Sequence, residues 1–163
     1  RYIGVTGVQT CALPIFVDLA NFTFKKMQVN EAAQAAAQRA WLLCNTAANL
    51  PVRNCTGLSA AMTTAAQATG LGAAVTVSAT TDGYYCANSS GALVLVGTAG
   101  SLATLPTKPS PFTCNSVTTG STAAPGEYVQ VSTTYTFAPA FGGISFSALL
   151  PTTVTRTAWL RLV

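Results

Sequence analysis

The spacing of apolar residues changes once along this chain, and that change limits the fold more than any motif does. Between Gln28 and Asn45, the residues Val29, Ala33, Ala36, Ala40 and Leu43 recur at the spacing of one helix face. From Ala73 onward the period is two. Ala73, Val75 and Val77 alternate with polar residues, and Val129, Val131, Thr133, Tyr135 and Phe137 alternate again further on. Helices first and strands afterwards predict an α+β domain with an antiparallel sheet, on which the N-terminal helix lays its alanine face.

The pattern predicts one long helix from Phe16 to about Asn49. Its run AAQAAAQRA has high helix propensity, and Glu31, Gln34, Gln38 and Asn45 fall on its polar side. Trp41 reads as a large packing anchor near its end, and Leu50-Pro51 closes the segment because a residue before proline avoids helical angles. A second helix is expected from Leu58 to Thr69, capped by Gly70. AAVTVSAT, GYYCA and ALVLVG read as short strands, and Leu102 to Ala124 as loop. A turn at Pro125-Gly126 precedes the clearest strand, which Pro139 stops. ISFSALL, Ile144 to Leu150, fits helix, strand or loop equally. The closing strand puts Val154, Ala158, Leu160 and Leu162 on one face with Arg156, which must therefore sit at an edge or find a partner. There is no internal repeat of solenoid length.

Composition excludes several kinds of chemistry. Only 7% of the 163 residues are charged, against roughly 25% in ordinary soluble domains. Such a surface suits an extracytoplasmic protein or one that packs into an assembly. The net charge of +4 comes from scattered cations (Lys25, Lys26, Arg39, Arg53, Lys108, Arg156 and Arg161 among them), with no basic stripe for nucleic acid. Histidine is absent, which removes the commonest general base and metal ligand. Serines and threonines abound without a base to activate them, and a Ser–Lys pair would have to use Lys108 in a loop. Of the four carboxylates, Asp18 and Glu31 belong to the helix, while Asp82 and Glu127 stand beside glycines and read as turn and cap residues. No catalytic group, metal site or cofactor is implied.

Five cysteines are present, and the odd one lies in an odd segment. VTGVQTCALPI, Val5 to Ile15, reverse-translates in frame to a string that resembles a widely used short-read sequencing adapter across all of its length. Residues 1–15 are accordingly read as an artefactual leader, set aside from fold reasoning; the alternative is a native strand with a turn at Pro14. Without Cys11, the remaining Cys44, Cys55, Cys86 and Cys114 allow three pairings. Cys44–Cys55 would staple the long helix to the loop after it, and Cys86–Cys114 would tie the long loop to the sheet. Loop-closure entropy makes these worth about 3 and about 3.5 kcal/mol. A four-thiolate zinc site is the alternative, although the spacing lacks paired C-x2-C knuckles.

FVDLANFTF, Phe16 to Phe24, is strongly apolar and reads as the end of a membrane-spanning segment. Alone it falls short of the about 20 residues a span needs; the alternative is an ordinary amphipathic helix start. The expected organisation is residues 1–15 leader, 16–27 end of the anchor helix, and 28–163 a single extracytoplasmic domain. VDLANFTFKKMQVNEAAQAAAQRAW resembles the start of TadE-like proteins, pseudopilin-like components of tight-adherence pilus assembly. Ala32-Ala33, Ala36-Ala37 and Ala40-Trp41 carry the likeness, with DGYYC, PGEYVQVSTTYTFAPAF and a final strand near TAWLRL following in order. The resemblance implies a pilin-like fold and a non-enzymatic minor subunit anchored in the bacterial cytoplasmic membrane. Its domain would lie in the periplasm or outside, its partners would be pilins and pilus-assembly proteins, and a dedicated peptidase could mature it. A secreted, disulfide-stabilised binding or adhesive module is the competing expectation.

Overall fold

The computed structural model describes residues 6–141 and 150–162. Helix α1 runs from Thr6 to Cys44 with Pro14 inside it, so it begins well before Phe16. It also ends earlier than the expected limit near Asn49. The Asn49 side-chain amide donates to the Leu43 carbonyl at 2.9 Å, which satisfies one of the last-turn acceptors and turns the chain away. Two short 3-10 turns follow, Ala47–Asn49 and Val52–Asn54. Helix α2 spans Leu58–Gln67 and is entered through Gly57, whose φ of 74° is the left-handed conformation that favours glycine. The expected Gly70 cap is not used. Ala68, in a right-handed conformation, donates to Thr64, and the Thr69 N–H and hydroxyl both donate to the Ala66 carbonyl. The Thr64 and Ala66 carbonyls are thus satisfied before Gly70 is reached.

Four strands form one antiparallel sheet: β1 (Val75–Ala87), β2 (Leu93–Ser101), β3 (Gly126–Thr136) and β4 (Thr153–Arg161), in the order β2-β1-β3-β4. The fold is α+β. AAVTVSAT and GYYCA are parts of the single strand β1, not separate strands. The Asn88 carboxamide oxygen accepts the Ser90 and Ala92 N–H groups and folds β1 back into β2. Against β3, Val77 pairs with Thr133 but Ala79 pairs with Ser132, so Ser78 is an extra residue, a β-bulge. The bulge reverses which parity faces inward. Val75 and Val77 point to the helices before it; Thr80, Asp82 and Tyr84 share that side after it. Most of the segment Ile144 to Leu150 lies outside the described residues.

Helix α1 lies along the inner face of β3 and β4 and also packs on α2. Val29, Ala33, Ala36 and Ala40 are fully buried there, and Leu43 is partly buried against the same core. Ala32, Ala37 and Cys44 widen the seam. Opposite them are Val129, Val131 and Thr133, and the Thr133 hydroxyl donates to the Val29 carbonyl at 3.0 Å. Small side chains let the helix axis approach the sheet closely enough for that bond. Leu58, Met62 and Ala66 of α2 complete the core. Trp41 is not an anchor. It is 41% exposed, because it lies about 100° round the helix from Ala40, outside the buried arc. Among the described residues, no helix is long and apolar enough to cross a membrane.

Candidate functional site

The first feature is the N-terminal half of α1. Its outer surface carries Leu13, Phe16, Val17, Leu19, Phe24 and Met27, all exposed. Further along, the same side becomes polar with Glu31, Gln34 and Gln38. The inner side of residues 16–27 is held by the domain. The buried Asp18 carboxylate accepts the Ala140 N–H at 2.8 Å and the Phe141 N–H at 3.4 Å. Phe22 meets Phe137 edge-on with ring centroids 5.2 Å apart, and the Lys25 ammonium lies over the Tyr135 ring while donating to Gln28. The domain therefore grips α1 from Asp18 onward. Arg156, opposite Thr133 on β4, sits at the sheet edge, where it lines a groove with Thr23, Lys26, Asn30 and Glu31.

Cys44 is joined to Cys55 and Cys86 to Cys114. The first bridge fixes the end of α1 to the turn before α2. The second lies in a small cluster with Val96, Tyr84 and Val117 and holds the long loop on the far end of the sheet. Among the described residues, no group of three or more histidine, cysteine or acidic side chains could hold a metal ion. Lys108 lies over the Phe112 ring, 4.2 Å from its centroid, and Phe112 meets Tyr84 edge-on.

Asp82 and Glu127 are not turn and cap residues. Asp82 is 1% exposed in the middle of β1, and Glu127 is 7% exposed near the start of β3. Asp82 pairs with Val129 and Tyr84 with Glu127, so the two carboxyls are diagonal neighbours on the inner face. They sit at the join between the helical cover and the long-loop cover. Asp82 Oδ2 accepts the Val52 N–H at 3.1 Å, while Asp82 Oδ1 and Glu127 Oε1 have no hydrogen-bond partner among the described residues. Burial pushes the Asp82 carboxyl up to about 6, against the lowering effect of the Val52 N–H. Burial and the Asp82 charge push Glu127 up to about 7, against the lowering effect of Lys108. The bulge at Ser78 brings Asp82 inward, and an alternation count that runs straight through β1 misses it.

The outer face of the sheet has no cover from either helix. Hydroxyls line it in cross-strand pairs: Ser78 with Thr134, Thr134 with Thr155, and Ser132 with Thr157. At one end Tyr85 meets both Tyr128 and Trp159 edge-on, and Trp159 is 43% exposed. In comparisons with protein-family models, curated proteins and solved structures, the chain matches none.

Proposed function

We propose that this chain is a non-enzymatic, pilin-like assembly subunit of the TadE-like kind, working outside the bacterial cytoplasmic membrane with pilins and pilus-assembly proteins. One observation carries the reading: the outer surface of α1 carries Phe16, Val17, Leu19, Phe24 and Met27 where the domain offers no cover, and is polar on that side afterwards. An apolar helix surface that its own domain leaves uncovered needs lipid or other helices against it. Its inner side is already gripped from Asp18, so the lipid boundary in this proposal lies N-terminal to Asp18, not near residue 27. Residues 1–15 are proposed to be a non-native leader standing where the rest of the anchor belongs. Two disulfides suit an oxidising compartment.

The test is fractionation of cells expressing the native-length source gene, followed by affinity purification from detergent extract. The proposal expects the protein in the membrane fraction, coming down with pilins or pilus-assembly proteins. A freely soluble protein with no such companions contradicts it. The outer sheet face favours a second reading, a secreted binding module, since hydroxyl rows beside an exposed Trp159 suit polar, ring-bearing ligands. Secretion with cleavage ahead of α1 is the outcome that supports that reading.

A further inference from the structure

The buried carboxyls of β1 and β3 are enclosed by β2, by the loop that follows it and by the turn before α2. Asp82 Oδ1 lies against Gly100 of β2, where a β-carbon would collide with both that oxygen and Pro106. Pro106 therefore closes the site from the loop side. Val52 closes it from the turn before α2, by donating to Oδ2. Phe112, further along the loop, covers Tyr84, the strand partner of Glu127. The Cys86–Cys114 bridge ties the end of this loop to β1. Among the described residues, Asp82 Oδ1 and Glu127 Oε1 have no hydrogen-bond donor. A proton on a carboxyl removes the charge, and with it the cost of an uncompensated buried ion.

We propose that Asp82 and Glu127 form a proton-operated latch: with at least one carboxyl protonated, the loop from Leu102 to Thr113 stays seated on β1 and β2, and when both ionise the loop lifts, uncovering Tyr84 and Val96 while Cys86–Cys114 keeps it tethered. The groups facing the pair are few. Tyr84 and Tyr85 on β1 are held neutral, with burial raising both above the usual phenol range. Lys108 on the loop opposes opening by attracting ionised Glu127, but burial is the larger influence on that carboxyl. Arg161 of β4 lies against Gly126, next to Glu127, and Arg53 beside Val52 is exposed.

The sign follows from linkage. Both folded values, about 6 and about 7, lie above the ordinary carboxyl values of 3.8 and 4.5. The protonated state is thus favoured by folding. The associated stability is fully present below about pH 4 and is lost as pH rises through 6 to 7. Hydrogen–deuterium exchange of the full chain, compared at pH 5 and pH 8 after correction for intrinsic exchange, reads the loop directly. Opening of Leu102–Thr113 should rise at least tenfold at pH 8, while β3 stays protected. Asp82→Asn with Glu127→Gln should remove that rise, and Lys108→Met should move its midpoint to higher pH. Protection that does not change with pH in the parent chain overturns the latch, whether or not the variants fold. So does protection at pH 8 that calcium restores and a chelator abolishes, since the pair would then be a cation site.

Discussion

Ala36 is fully buried where α1 crosses the sheet, and the seam around it consists of Ala32, Ala33, Ala37 and Ala40, each 0–2% exposed. Leucine at this position adds three carbons to a helix face that the Thr133–Val29 hydrogen bond, about two turns away, holds close to the sheet. To fit them in a fully buried alanine seam, the helix must lift or a neighbour must leave its rotamer. Overpacking of this kind costs about 1–3 kcal/mol. In a domain of this length each kcal/mol lowers Tm by about 2–4 °C, so Ala36→Leu should melt about 2–12 °C below the parent. Gln38→Leu is the control: it installs the same side chain on the exposed side of the same helix, and should stay within about 0.5 kcal/mol. The assay is thermal unfolding followed by far-UV circular dichroism, with guanidinium unfolding to check that the m-value is unchanged. If Ala36→Leu melts with the parent, or if both variants fall equally, the close-packed seam is not what holds α1 to the sheet.

Other perturbations probe the remaining contacts. Replacing Cys44 and Cys55 together by alanine frees the turn before α2 and should cost about 3 kcal/mol from loop closure across a separation of 11 residues, read as a fall in the guanidinium midpoint. Asp18→Ala leaves the Ala140 and Phe141 N–H groups without their acceptor and should cost about 1–3 kcal/mol, with faster limited proteolysis just after Phe137. Thr133→Val keeps the shape and removes one buried hydrogen bond, so a loss of about 1 kcal/mol in chemical unfolding is expected. Between pH 5 and pH 8 the parent chain should lose stability, its unfolding constant rising about tenfold for the Asp82 carboxyl alone, and Asp82→Asn should flatten that slope.

The period change was enough to read the helix-then-sheet order, because Val29, Ala33, Ala36 and Ala40 follow a helix spacing while Val129, Val131 and Thr133 alternate, and both sets face the core. The inward side of β4 was legible for the same reason, down to the edge position of Arg156. Helix ends were not. Asn49 and Thr69 terminate α1 and α2 through side-chain hydrogen bonds that proline and glycine signals do not encode. Trp41 was misplaced because size suggests burial, whereas its angle on the helix points outward. The carboxylate pair was the largest omission. An aspartate beside glycine looks like a turn, and only the bulge at Ser78, a property of how β1 registers with β3, turns Asp82 inward. Asp18 was assigned to the anchor helix, yet its carboxylate is spent on a loop far away in sequence.

The most direct measurement on the proposed role is the source DNA sequence across the codon of Phe16. A membrane-anchored, pilin-like subunit predicts apolar codons running in frame into Phe16, enough to make about 20 apolar residues that end at Val17, just before Asp18. Native coding that continues through Val5–Ile15, or a cleavable signal ending just before Phe16, would contradict the anchor and leave the secreted binding module in its place.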